Sequence, residues 1–417
     1  MANLSNNVQA NDTRANSAQA DNTQANKAQA DNAQVNKAQA HSFSGSTQKI
    51  LQIVPRIAPD MDGVGEYAVR LAQQLKANYQ IDSAFLVIRP SSKTQPVLDG
   101  FDVHSLHTHS VEAFLNAVPP DVSTVVLQYS NYPYLQGKLD APMWLGAAMK
   151  ALKKKGILTV VMFHELPTIK YGAIHVSNPI QSRLSRNLSK NTDIIITNNE
   201  AFHAALTNWT PKPVRLVPNF ATIKEPDTVL PLEKRDRAII VFGSTDRRRV
   251  YHNNLPRLKD ICEQLNIHTL YDVGRLIDWP TKDLGPTVQV EKTGILPDEA
   301  VSALMSRCMA GIFDYHRFPR NLSKSSVYAA YCAHGLVPIC NGRSLQPQDG
   351  IIANQQYVDT FTLHARSQQS SSDDWLQTIA SNAHALYLTR SLDRCAEKYA
   401  ALIRLETAPH LTQSALT

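Results

Sequence analysis

Beyond residue 48 the chain keeps one rhythm. Apolar runs of four to seven residues alternate with stretches whose apolar positions recur every three or four residues. The short runs predict strands and the longer-period stretches predict helices. Strands are expected at Ile50–Val54, Thr124–Gln128, Leu158–Phe163, Asp193–Thr197 and Val214–Val217. A second set is expected at Ala238–Phe242, His268–Val273, Val288–Lys292, Gly311–Tyr315 and Val337–Cys340. Helices are expected at Val64–Lys76, Pro142–Lys155, Ile180–Asn191, Glu200–Thr207, Leu255–Leu265, Asp298–Arg307, Ser325–Ala333 and Asp373–Leu388. Strands alternating with helices build parallel sheets from βαβ units.

The rhythm breaks twice. Residues 1–48 contain three consecutive ten-residue units, Asn11–Ala20, Asp21–Ala30 and Asp31–Ala40, rich in Ala, Asn and Gln. These units have almost no apolar face to stack, so they predict a disordered tail rather than a solenoid. The second break is Ile223–Asp236, which holds Pro226, Pro231, Glu233, Lys234, Arg235 and Asp236 and reads as a linker. The expected organisation is an α/β chain of two doubly wound, Rossmann-like domains. They span 49–222 and 237–390, with 223–236 between them and a terminal helix and tail over 391–417. Leu392–Leu405 has the helical period and can pack on either domain.

With 417 residues the chain is long enough for two such cores. The net charge of +6 is diffuse, and no zinc-ligand pairs or basic zipper occur, so no nucleic-acid partner is expected. Five cysteines without C-x-x-C spacing suggest reduced thiols in the cytoplasm. There is no apolar run of about 18 residues and no apolar leader core.

Ligands of doubly wound sheets bind beyond the carboxyl ends of the strands, so the candidate chemistry is sought there. After the first strand come Gly63, Val64 and Gly65, which permit close backbone approach to a ligand. The spacing is not that of a dinucleotide fingerprint or a P-loop. His164 and Glu165 end the third expected strand, His164 as a base or sugar-binding group and Glu165 as an orienting or hydroxyl-binding one. Gly243 ends the first strand of the second half and leads to Arg247, Arg248 and Arg249, whose forks suit a diphosphate. Ser323, Lys324, Ser325 and Ser326 open a helix, either as a Ser-capped start or as an anion cradle. His104, His107 and His109 read as a polar turn, since no carboxylate or Cys completes a metal set. Arg183, Arg186 and Lys190 share a helix face with Ile180, Leu184 and Leu188, allowing weak contact with anionic headgroups.

Taken in order, several segments resemble the glycosyltransferase family 4 group with the GT-B fold. They are Gly63-Val-Gly-Glu-Tyr-Ala, Gln128-Tyr-Ser-Asn-Tyr, Phe163-His-Glu-Leu, Phe242-Gly243, Asp272-Val-Gly274 and Thr293-Gly-Ile-Leu-Pro-Asp-Glu-Ala-Val301. Ser323-Lys-Ser-Ser-Val327 followed by Ala333-His-Gly-Leu-Val-Pro-Ile339 completes the series, over roughly residues 50–400. The resemblance implies retaining transfer of a hexosyl group from a nucleotide-diphosphate sugar to a carbohydrate or lipid-linked hydroxyl, with no metal or other cofactor. On that reading His164, Glu165 and Lys324 are catalytic. Gly63, Val64, Gly65, Gly243, Arg247, Arg249, Ser323, Ser325 and Ser326 hold the donor. One departure stands out. Family members carry two glutamates eight positions apart in the donor region, and Leu322 and Ala330 occupy those positions. That leaves open a protein which binds a nucleotide sugar as a scaffold without turning it over.

Overall fold

The computed structural model describes residues 48–60, 62–131, 134, 142–171, 174–177, 179–252, 254–315, 321–341, 345–367 and 372–414. The repeats of the expected tail lie outside these residues. The first part of the chain forms β1 (Gln48–Val54), β2 (Ile81–Val87), β3 (Val97–Leu98), β4 (Phe101–Ser105), β5 (Thr124–Tyr129), β6 (Leu158–Phe163), β7 (Thr168–Tyr171), β8 (Ile174–Ser177), β9 (Ile194–Thr197) and β10 (Val214–Leu216). Eight of them make one sheet in the order β10-β9-β6-β5-β1-β2-β4-β3, while β7 and β8 pair as a separate hairpin. Every pair in the large sheet is parallel except β3 with β4.

The second part forms β11 (Asp236–Phe242), β12 (Thr269–Val273), β13 (Gln289–Gly294), β14 (Cys308–Phe313), β15 (Val337–Cys340) and β16 (Val358–Asp359). They make an all-parallel sheet in the order β13-β12-β11-β14-β15-β16. Strand order reverses between β1 and β5 in one sheet and between β11 and β14 in the other. Those reversals open the crevices in which ligands of such sheets bind.

Both faces of the first sheet are covered, which is why its strands read as continuous apolar runs. Leu51 and Ile53 of β1 join the core formed with the Trp144–Lys154 and Pro179–Asn191 helices. Ile50 faces the opposite core, with Tyr67, Leu71 and Leu75 of the Gly63–Tyr79 helix. The Ser372–Leu388 helix packs Leu376, Ile379 and Ala380 on the second sheet. The chain then crosses back. Cys395, Ala396, Tyr399, Ala400 and Ile403 of the Leu392–Ser414 helix pack into the first domain's core. Burial of this apolar face ties the end of the chain to its beginning.

Several elements have no counterpart in the expected set. β2 follows the Gly63–Tyr79 helix after a single residue, Gln80, at φ 56°. A left-handed cap usually announces itself as glycine, and here it does not. β16 is a two-residue edge strand, and β4 is a short strand whose buried positions only alternate, so neither shows an apolar run. The β3–β4 turn is Asp99-Gly100, both at positive φ, which is a hairpin signal in the sequence.

Gly311 on β14 fixes how the Ser326–Ala333 helix sits on its sheet. A Cβ there would lie 2.5 Å from the Tyr331 ring. The Tyr331 hydroxyl accepts from the Phe242 amide (3.0 Å) and donates to the Ile312 carbonyl (3.2 Å), so the ring has little room to move. Gly311→Ala is expected to lower stability by about 1–3 kcal/mol in chemical denaturation, since overpacking a filled core costs that much.

Candidate active site

The Asn321–Ser326 segment departs from the expected cradle. Leu322–Lys324 makes one 3-10 turn, capped by Asn321 Oδ1 on the Ser323 amide (2.9 Å). The α-helix starts only at Ser326, and Ser325 Oγ caps it by accepting from the Tyr328 amide (3.1 Å). Ser323 is buried, with its hydroxyl among Asn321 Oδ1 (2.7 Å), Asp349 Oδ2 (2.9 Å) and the Asn198 carbonyl (3.3 Å). The Ser323 and Ser325 hydroxyls are therefore committed to building the turn. Ser326 and the amides of Ser326 and Val327 stand at the helix start, where an anion can approach, with Lys324 beside them.

This turn is docked onto the first domain. The Asn219 amide donates to the Ser323 carbonyl (3.2 Å), and Asn219 Nδ2 donates to the Lys324 carbonyl (2.9 Å). Asp349 Oδ1 accepts from the Glu200 amide (2.8 Å), and the Asp349 carboxylate also accepts from Asn321. Arg70 of the Gly63–Tyr79 helix forms an ion pair with Asp298 of the Asp298–Arg307 helix across the same junction. So placed, Lys324 Nζ lies 3.4 Å from Glu165 Oε1 and 5.1 Å from the Phe202 ring centre. Its side chain is only 5% exposed, and the Glu165 carboxylate balances its charge there. Glu165 Oε2 accepts from Ser130 Oγ at 3.3 Å.

His164 directly follows β6. It is buried and lies 4.7 Å from the Tyr67 ring, nearly perpendicular to it. Its Nε2 is 2.9 Å from Gln128 Oε1. Burial, aided by the nearby Lys324 charge, pushes its pKa down to about 3. The imidazole is therefore neutral at physiological pH. What it offers is a hydrogen bond.

Other expected donor contacts are also taken. Asp62 Oδ1 accepts from the amides of Val64 (2.9 Å) and Gly65 (3.3 Å), filling the helix N-terminus that was expected to approach the donor. Burial pushes the Asp62 carboxyl above its ordinary range, against the pull of those amides. Gly65 has a packing reason, because a Cβ would sit 2.2 Å from the Arg56 carbonyl oxygen; Gly63 meets nothing.

Arg247 is buried with its guanidinium spent. Nε binds Asp272 Oδ1 (2.7 Å), Nη1 the carbonyls of Gly243 and Ser244, and Nη2 that of Arg275 (2.7 Å). Asp272 is wholly buried and also accepts from Trp279 Nε1 (3.1 Å). A buried carboxylate demands such a partner. Arg247 thus orders the strand ends instead of presenting a free fork. Gly243 (φ 133°) lies beside Val327 of the helix start, and Arg249 is half-buried in the short Arg248–His252 helix.

The structure brings His164, Glu165 and Lys324 together, with Gly243 and Ser326 on the second-domain side. It draws Val64, Gly65, Arg247, Ser323 and Ser325 into internal bonding. Asn198, Asn219, Asn321 and Asp349 escaped the sequence reading because single polar residues in loops carry no pattern. Of the histidine cluster, His109 Nε2 lies 2.8 Å from the Ile88 carbonyl and its ring stacks on Trp144.

No family model matches this sequence, and no curated protein resembles it in sequence. Solved structures do resemble it in fold. The pneumococcal O-GlcNAc transferase GtfA, solved with UDP and GlcNAc, superposes with a TM-score of 0.56 at 9% identity, over 86% of this chain and 99% of that one. An alpha-glucosyltransferase solved with UDP gives 0.53 at 12% identity, over 86% of this chain and 100% of the other. WaaG, a glycosyltransferase involved in lipopolysaccharide biosynthesis, gives 0.51 at 13% identity, over 85% and 99%. The fold is GT-B: two Rossmann-like parallel sheets facing one another across a cleft. The alpha-glucosyltransferase is also solved with a 13-mer DNA containing a HMU base, so the fold itself does not exclude a nucleic-acid acceptor.

Two buried histidines make stability pH-dependent. His164 is held down to about 3 and His334 to about 4, each chiefly by burial. Between those values and an unfolded histidine pKa of about 6.5, the unfolded chain binds more protons, so these groups lower stability as pH falls. Denaturation midpoints are expected to drop from pH 7 to pH 4, and His334→Asn is expected to flatten that slope.

Proposed function

We propose that this chain is a glycosyltransferase of the family 4 type. It moves a sugar, a hexose on the resemblance, from a nucleotide-diphosphate donor to a carbohydrate or lipid-linked hydroxyl. The observation that carries the reading is Lys324. It is a nearly buried ammonium at the start of a helix, beyond the carboxyl ends of a doubly wound sheet, facing Glu165 and His164 of the opposite domain. A leaving diphosphate gains negative charge as the glycosidic bond breaks. Lys324 and the first-turn amides of the Ser326–Ala333 helix supply fixed positive potential to that charge. Gly243 lets the chain pass close to the same place, and Arg249 is a further guanidinium assigned to it. Glu165 and the neutral His164 hold sugar or acceptor hydroxyls. Retention of configuration follows the resemblance to family 4.

The exposed Arg183, Arg186 and Lys190 share the Pro179–Asn191 helix with buried Leu184 and Leu188, which supports a peripheral contact with anionic headgroups at the inner membrane face. No helix among the described residues is long and apolar enough to cross a membrane. The five cysteines are buried free thiols, which supports a reducing, cytoplasmic setting.

A second reading is favoured by Leu322 and Ala330, both buried and apolar where the family carries glutamates. It is a scaffold that binds a nucleotide sugar without turnover. Assays of transfer and of donor hydrolysis, run beside nucleotide-sugar binding, separate the two. In the transferase reading, Lys324→Ala is expected to lower kcat/KM by roughly 30- to 150-fold, or about 2–3 kcal/mol for a lost charge-assisted contact. Unchanged kcat/KM removes Lys324 from the mechanism. Tight binding with no turnover over a broad acceptor panel replaces the enzyme with the scaffold.

A further inference from the structure

Three buried side chains on neighbouring strands form a directed hydrogen-bond chain behind the cleft. Gln52 on β1 pairs across the sheet from Val126, so Gln128 on β5 sits two residues further along and on the same face. Gln128 is paired with Met162, so His164 stands two residues beyond that register position, again on the same side. The chain therefore climbs two residues per strand across β1, β5 and β6. Gln52 and Gln128 are both fully buried.

Its far end fixes its direction. The Ala68 carbonyl can only accept, so the Gln52 amide nitrogen faces it, at 3.2 Å. Gln52 Nε2 also lies 3.4 Å from Ser83 Oγ. Gln52 Oε1 then faces Gln128 and accepts from Gln128 Nε2 at 2.9 Å. Gln128 in turn presents Oε1 to His164 Nε2, also at 2.9 Å. An amide oxygen accepts only, so that nitrogen must carry the proton.

We propose that Gln52 and Gln128 are positioning residues that lock His164 in its Nε2–H tautomer, leaving Nδ1 as the hydrogen-bond acceptor for a substrate hydroxyl. Reversing either amide would set donor against donor or acceptor against acceptor in a dry interior, where each unmet group is costly. The β1–β5 junction crossed by the chain is also the strand-order reversal of the first sheet, where ligands of this architecture approach. The polarity of one backbone carbonyl is thus carried to the imidazole. The link to turnover rests on the transferase reading; the tautomer does not.

Nitrogen-15 spectra of histidine-labelled protein test the lock directly, with His164 assigned by its loss in His164→Gln. The expected spectrum shows Nε2 protonated and Nδ1 bare at pH 7. A protonated Nδ1, or signals averaged between tautomers, overturns the proposal whatever the activity. Gln128→Met removes the amide at similar volume, and Gln52→Met removes the next link. Both are expected to release the tautomer, and an unchanged His164 spectrum in the folded Gln128→Met protein overturns the relay. If Gln128→Met does not fold, the wild-type spectrum still decides. Should transfer be found, Gln128→Met is expected to raise KM about tenfold with a smaller change in kcat, the loss of one oriented hydrogen bond. A correct tautomer in a chain with no nucleotide-sugar binding leaves the relay standing and sinks the transferase reading alone.

Discussion

Asn219 holds the backbone of the Ser323–Lys324 turn with two donors, one from its main chain and one from its side chain. Everything chemical in the cleft depends on where that turn sits. Lys324 belongs to the second sheet's half of the chain, yet its ammonium meets Glu165 and influences His164, which belong to the first. A flexible lysine on its own would spread over several rotamers and lose most of its value as a fixed charge. Here both flanking carbonyls are tied down, Ser323 is bonded to the Asn198 carbonyl, and Asp349 reaches the Glu200 amide. These contacts are short-range and geometrically narrow, so a small slide between the domains would break several of them together. The cleft is preorganised by polar contacts at its floor rather than by apolar burial.

The distribution of charge around the cleft is uneven, and the reason lies at the helix ends. Both domains place a helix start at their strand-order reversal, and each start is a potential anion site. In the first domain the chain supplies its own anion. Asp62 occupies the Val64 and Gly65 amides, and a diphosphate brought there would meet a carboxylate. In the second domain the cap is a neutral serine, and the adjacent side chain is a lysine. On the proposed function, that asymmetry directs a donor diphosphate to one side and leaves the other for groups that tolerate acid neighbours, such as hydroxyls.

The alternation of apolar runs and helical periods was enough to read two doubly wound sheets, because strands buried on both faces leave long apolar signatures. It was not enough for short strands such as β4, or for a helix that stops at Gln80 without a glycine. At the cleft, strand ends narrowed the candidates, since ligands of such sheets bind beyond them. Roles were harder. Arginine and serine have the same letters whether they face a ligand or satisfy a buried neighbour. Arg247 was drawn inward by Asp272, 25 positions away, and Ser323 by Asp349, 26 positions away. Those pairings depend on the distance between strand ends in space, which local pattern does not encode. The Asp62 cap, by contrast, was readable in principle, as an acidic residue directly before a glycine-led helix.

The two absent glutamates look different once their surroundings are known. Leu322 and Ala330 both lie in the apolar core that contains Tyr328, Tyr331 and Tyr387. A carboxylate at Ala330, which has no exposure, would need a cation or several donors to be tolerated. The neighbouring Tyr331 hydroxyl is already engaged by the Phe242 amide. Restoring a glutamate there would therefore require repacking the helix, and the core of this chain is built around its absence. On the proposed function, donor recognition rests on groups outside that helix face. Among those described, His164 and Glu165 can meet sugar hydroxyls from the first domain, and Lys324 can meet phosphate from the second. A binding mode divided in this way makes domain apposition itself a requirement for recognition. On the proposed function, the Asn219 and Asp349 contacts act on affinity as well as on shape.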